Sequence, residues 1–246
     1  MKIIIMINFF RKIRKKMADD NKPIKYARYA IGEILLVVVG ILIALQINTW
    51  NEERKNKKFE DEILYLISEN LNNDSILLSR ELFRAKRAIN LTDRLLESVA
   101  QKDYHDSLNS WMGKIIVFER FKSQSSAFEV LKAKGIETIS NKELQLALIA
   151  YYEQRLFNTY QSLADVEGSF KTDWMPIIKE DFLEFNWMKY HVPRDSKEFF
   201  EKSSSVVMFR FFKNNREGTI FHLEKSIEEI TDLKKLIEDY KRPLPI

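Results

Sequence analysis

The residues best suited to metal ligation or general base chemistry are three histidines, His105, His191 and His222. They fall in different segments, and none has the i, i+4 spacing of a helical zinc pair. Each reads as a surface or interface residue. Glu180, Asp181 and Glu184 crowd one segment, but paired carboxylates do acid–base work only where their surroundings push their pKa values apart. This group reads as the solvated face of a helix. The chain contains no cysteine, which excludes disulfides, thiolate metal sites and cysteine nucleophiles. No phosphate loop, dinucleotide fingerprint, nucleophile elbow or His-Glu-x-x-His pair occurs. Catalytic, cofactor-binding and metal residues are therefore none, no cofactor is expected, and the chain does not read as an enzyme.

One further group stands in a chemically unusual place. Glu33 opens the stretch GEILLVVVGILIALQINTW, and from Ile34 to Asn51 no residue is charged. A helix from Ala30 to Trp50 is about 31 Å long at roughly 1.5 Å per residue, enough to span a hydrocarbon core of about 30 Å. A buried core helix would need apolar neighbours all round, and a cleaved signal would need a shorter leader and a small-x-small site that ALQINTW lacks. An uncleaved signal anchor fits best. Basic residues are denser before the span (Arg11 to Arg28) than after it (Arg54 to Lys58). The amino terminus is therefore expected in the cytoplasm and the rest exported across the membrane. Along this helix Gly40 and Ala44 lie within about 20° of Glu33. Gly40-Ile-Leu-Ile-Ala44 is a small-xxx-small spacing, so Glu33, Gly40 and Ala44 form a candidate pairing face toward a membrane-protein partner or a second copy. The competing reading is a carboxylate that snorkels to the headgroups.

The net charge of +4 hides an asymmetry. Residues 1–28 hold nine bases against two acids, or +7, so the other 218 residues carry −3. The basicity belongs to a leader and gives no case for nucleic acid as partner. Arg11, Lys12, Arg14, Lys15 and Lys16, with Phe10, Ile13 and Met17 among them, read either as a short helix lying on anionic lipid or as a plain topogenic charge cluster. Met1 and Met6 are both available as starts. The expected domains are the leader 1–28, a transmembrane helix 29–50, and an exported domain 51–246 that begins as a helical stalk.

Low glycine and proline content favours helices, so the fold class is all-α: one N-terminal transmembrane helix followed by an antiparallel helical bundle. Phe59, Ile63, Leu66, Ile67 and Leu71 set a helical stripe expected to stop near NNDS, with Asn73 or Asp74 capping a second helix. Leu78, Leu82, Ala85, Ile89, Thr92, Leu96 and Val99 repeat at 4 and 3, which suits bundle packing better than a short, mixed coiled coil. Residues 103–123 read as helix or strand alike. Capping boxes at Ser126–Glu129 and Ser140–Glu143 open two helices, Gly135 closes the first, and Gly168 ends or bends the second. Met175-Pro176 begins another, followed by the aromatics Phe182, Phe185, Trp187 and Tyr190, with HVPRDS as a loop. Ser203–Phe212 and about Thr219–Tyr240 complete the helices, with Pro243 and Pro245 ending the last. The aromatics read as core rather than as a cavity lining.

FFRKIRKKM, YAIGEILLVVVGILIALQINTWNEERK and SSAFEVLKAKGIETISNKELQLALIAYYE occur in this order. They are similar to an uncharacterised domain-of-unknown-function family of single-pass membrane proteins found in Bacteroidetes, over most of residues 6–155. The resemblance implies an inner-membrane protein with a helical exported domain and supplies no catalytic residues. Two functions follow as expectations: an interaction or scaffold module facing the periplasm, or a helical small-molecule sensor that signals through a membrane partner.

Overall fold

The computed structural model describes residues 23–118 and 120–242. They fall into two compact units, Met1–Phe59 and Glu60–Ile246. Arg11, Lys12, Arg14, Lys15, Lys16, the two candidate starts, Pro243 and Pro245 lie outside the described residues. Helix α1 (Pro23–Ala100) supplies the described part of the first unit and the opening helix of the second. Proline is welcome in a first helical turn, where its missing N–H costs no bond.

In the first unit the large aliphatic side chains from Ile31 to Ile47 are 43–68% exposed. This segment gives the one helix among the described residues that is apolar and long enough to cross a membrane, with a window of mean hydropathy 2.6 and none of that window buried. Adding a Cβ at Gly32 or Gly40 would meet nothing within 4 Å.

The second unit is predominantly helical: α1 continues, then α2 (Ser107–Ile115), α3 (Ser126–Lys134), a 3₁₀ turn (Ile136–Thr138), α4 (Lys142–Ile149), α5 (Leu156–Ser169), α6 (Met175–Asp181), α7 (Ser196–Glu201) and α8 (Ser203–Lys241). Strands β1 (Phe182–Asn186) and β2 (Tyr190–Pro193) pair antiparallel. The all-α expectation is thus right in bulk and corrected at one place. The aromatic segment expected in or after a helix, together with His191, Val192 and Pro193 of HVPRDS, forms a hairpin instead, because Phe, Tyr, Trp and Val favour a pleated, half-buried surface. Glu184 accordingly leaves the helix that holds Glu180 and Asp181.

No helix starts at NNDS; α1 runs through it. Asp74 is buried and accepts from the Ser123 hydroxyl and from the Gln124 N–H at 2.9 Å. Asn73 donates to Gln124 (3.0 Å) and Asn72 accepts from Lys234. Side chains that could have capped a helix are spent on tertiary bonds, and the backbone stays helical. The caps of α3 and α4 also differ from expectation. The N-cap of α3 is Ser125, with no side-chain cap bond, and that of α4 is Asn141, whose side chain accepts from the Leu144 N–H at 2.9 Å. Gly135 does close α3, at φ +114°. Residues 203–241 form one helix where two were expected.

Gly168 does not end its helix. From Lys142 to Asp181 the chain stays helical through two π segments, Ala150–Arg155 and Phe170–Trp174. Leu144, Leu148, Tyr151, Val166, Phe170, Trp174 and Ile178 are all buried. A plain α-helix would rotate Ile178 roughly 160° away from Leu144, whereas one extra residue in each π turn returns it to within roughly 40°. The π turns keep the apolar stripe on one side.

Helix α8 runs antiparallel to the first π segment and α5, since Arg155, Thr159 and Ser162 meet Glu229, Ser226 and Thr219 in falling order. Beyond them, Leu91, Leu95, Met112, Trp174, Phe200, Phe209 and Phe212 share one core with β1. There α2 touches the hairpin backbone: a Cβ on Gly113 would lie 2.4 Å from the Lys189 carbonyl carbon and the Tyr190 nitrogen. Because backbone cannot yield as a flexible side chain does, Gly113→Ala is expected to cost about 1–3 kcal/mol. Denaturant unfolding with tryptophan fluorescence measures it.

Candidate functional site

Of the pairing face, Glu33 is half-buried and Ala44 exposed on the continuous helix α1, and Gly40 has open space around it. Unbroken helical geometry keeps the three within about 20° of one line.

The helical domain holds buried charge that the sequence reading passed over. Arg216 and Glu81 are both buried, with Arg216 Nη1 3.3 Å from Glu81 Oε1. Arg216 Nη2 donates to the Val117 carbonyl, and Arg84 Nη1 approaches Glu81 Oε2 at 3.9 Å. Burial lowers the Arg216 pKa and Glu81 opposes that shift. The arrangement clamps α1, α8 and the segment after α2. Glu60, also buried, accepts from the Ser140 N–H and the Tyr240 hydroxyl, each at 2.7 Å. Asp74 forms the third node, where burial pushes its carboxyl up and the bonds from Ser123 and Gln124 act against this. Burial also raises Tyr151 and Tyr152, with Asp74 adding to both. These groups join elements and present no exposed acid–base pair. Glu60, Asp74 and Glu81 sit on the same seven-residue rhythm as buried Ile67, Ala88 and Leu95, a signal present in the sequence.

The histidines differ from one another. His105 and His222 are half-buried, His105 edge-on to Trp111 at 5.3 Å. His191, expected at a surface or interface, is fully buried on β2. It stacks on Phe185 at 4.2 Å and lies edge-on to Phe182 at 6.3 Å. Neither ring nitrogen has a hydrogen-bond partner among the described residues, and burial pushes its pKa down to about 4. The ring is thus a neutral packing group. Among the described residues no group of three or more His, Asp or Glu could hold a metal ion.

The concave feature that stands apart from this core is a groove of about 450 Å³ between α8 and the wall formed by α4 and the first π turn. Ala147, Ala150, Leu233 and Leu236 give it an apolar surface, and Glu143, Glu229, Asp232 and Asp239 an acidic rim. Tyr151 lies beneath, its hydroxyl buried without a hydrogen-bond partner among the described residues. The small side chains of Ala147 and Ala150 open the space.

No curated protein and no solved structure matches the chain. A family model does match residues 33–167, which begin at Glu33 and reach into α5. The matched stretch therefore holds the apolar run, the Glu60, Asp74 and Glu81 nodes and the first π turn, and by that match the chain belongs to the family of unknown function DUF6090.

Proposed function

We propose that this is a single-pass membrane protein whose helical domain binds a protein partner. In this reading residues 1–28 stay in the cytoplasm and 29–50 cross the inner membrane. Residues 51–246 face the periplasm as an antiparallel helical bundle that works as an interaction or scaffold module. The carrying observation is the exposure of twelve large aliphatics between Ile31 and Ile47. At about 1.5–3 kcal/mol for each such side chain kept from burial, a helix in water could not sustain it, and lipid removes the cost. The basic leader, with Arg11, Lys12, Arg14, Lys15 and Lys16, supports the orientation and contact with anionic headgroups. For the interaction role, Tyr65, Ile76 and Phe83 are 59%, 59% and 66% exposed and fall within about 20° of one line along α1. A carboxyl-terminal reporter active only outside the cytoplasm, and retention in the membrane on carbonate washing, are the expected results. A cytoplasm-active reporter or release by carbonate overturns the reading.

Within the membrane, Glu33, Gly40 and Ala44 are the proposed contact line toward a partner or a second copy. Since a Cβ at Gly40 would meet nothing within 4 Å among the described residues, Gly40→Leu introduces no clash with them at that atom. Glu33→Gln and Gly40→Leu are expected to leave insertion intact and to weaken cross-linking in native membranes by severalfold, within the 1–2 kcal/mol typical of such helix contacts. Unchanged cross-linking in both variants removes the contact line.

A further inference from the structure

We propose that the groove between α4 and α8 is a binding site for a linear aliphatic amine, its methylenes over the alanine and leucine surface and its ammonium groups on the acidic rim. The volume, about 450 Å³, lies within the range of roughly 300–1,000 Å³ typical of small-molecule sites and is too small for a partner helix of about 10 Å diameter.

Charge selects the ligand within that size. Glu229 is neutralised by Arg155 at 2.6 Å and Asp239 by Arg242 at 3.3 Å. Glu143 on α4 and Asp232 on α8 have no ion pair among the described residues, so one uncompensated carboxylate stands on each wall. Lys235 is the single cation of the lining; it is exposed, and its flexible stem can carry the charge out to water. An apolar trough between two separated carboxylates matches a chain of methylenes with an ammonium at each end. It does not match an anion, or a sugar that would leave its hydroxyls facing alanine and leucine.

The wall is built for recognition in a second respect. Ala150 and Tyr151 belong to the first π turn, a distortion that recurs at functional sites. Burial keeps the Tyr151 hydroxyl protonated, so the base of the groove adds no competing charge.

The test uses the full chain in detergent with 1,5-diaminopentane and spermidine as probes, reading thermal unfolding and calorimetric titration at constant ionic strength. Saturable stabilisation is expected, with affinity weakened about tenfold in Asp232→Asn and in Glu143→Gln, the scale of one good charged contact. Ala147→Phe should abolish binding by filling the groove. Glu143 also sits in the first turn of α4, where a carboxylate favours the helix, so Asp232→Asn and Ala147→Phe keep the test sharp if Glu143→Gln loses stability. Stabilisation that fails to saturate, that sodium chloride reproduces, or that survives both Asp232→Asn and Ala147→Phe overturns the proposal.

Discussion

Replacing Arg216 with methionine is expected to cost about 3–5 kcal/mol of stability, because it leaves the Glu81 carboxylate buried without its principal counter-charge. Glu81 and Arg216 are among the most buried charged residues described. Arg216 also donates to the Val117 carbonyl, so the same change strips that oxygen of a donor. Arg84 stands at 3.9 Å from the other Glu81 oxygen. Typical domain stabilities are about 5–15 kcal/mol, so the variant should be extensively destabilised in denaturant titrations followed by circular dichroism. Arg216→Lys should recover only part of the loss, since an ammonium cannot reach Glu81 and Val117 with the spread donors of a guanidinium. The double variant Glu81→Met/Arg216→Met should be more stable than Arg216→Met, because it removes the stranded charge. A single variant within about 0.5 kcal/mol of the parent, the ordinary range for surface changes, would show that the pair is solvated and that α1 and α8 are joined otherwise.

That clamp also shows where sequence reading succeeds and where it fails. The apolar run of α1 is legible because lipid-length hydrophobicity needs no tertiary partner to interpret it. Leu78, Ala85 and Thr92 belong to the buried stripe as the 4-and-3 spacing implies, but Leu82, Ile89, Leu96 and Val99 lie at its margin, while Ala88, Leu91 and Leu95 are buried. The buried stripe keeps the seven-residue repeat, but its second position falls on Glu81, Ala88 and Leu95, one residue before the more apolar Leu82, Ile89 and Leu96 that a hydrophobicity pattern selects. Asp74 misleads because the same side chain that caps a helix can instead accept from Ser123 and Gln124, 49 and 50 residues away in sequence, and local pattern cannot rank the two. The π turns are hidden for a similar reason: the demand that Leu144 and Ile178 share one face is set by α8 and not by their neighbours. Of the candidate sites, Glu33 is visible as an acid at the edge of an apolar run. The groove is not, because its two uncompensated carboxylates lie 89 positions apart, at 143 and 232, and ordinary helix faces carry such residues singly. Acids on a buried seven-residue rhythm, as at Glu60, Asp74 and Glu81, are the pattern that would have found the polar nodes.

Acidification should destabilise the hairpin through His191. In the folded chain its pKa is held down to about 4 by burial, against an ordinary value of about 6.5 in an unfolded chain. The unfolded state therefore takes up the proton first. Stability from keeping this ring neutral is fully present above about pH 6.5, declines as pH falls, and is gone near pH 4. A gap of about 2.5 pKa units corresponds to about 3 kcal/mol. Asp74 acts in the opposite sense: its raised carboxyl pKa makes the folded state bind a proton more readily, so acid relieves a cost there. The two contributions both act as the solution is made acidic, and total stability alone does not separate them. His191→Phe does, since it keeps an aromatic ring against Phe185 and removes the titrating group. The parent should lose stability relative to His191→Phe by about 3 kcal/mol between pH 7 and pH 4, measured as the difference of denaturant midpoints at matched slopes. Parallel pH curves for the two proteins would mean that the imidazole is solvated or finds a proton acceptor, and that the hairpin is not closed over it.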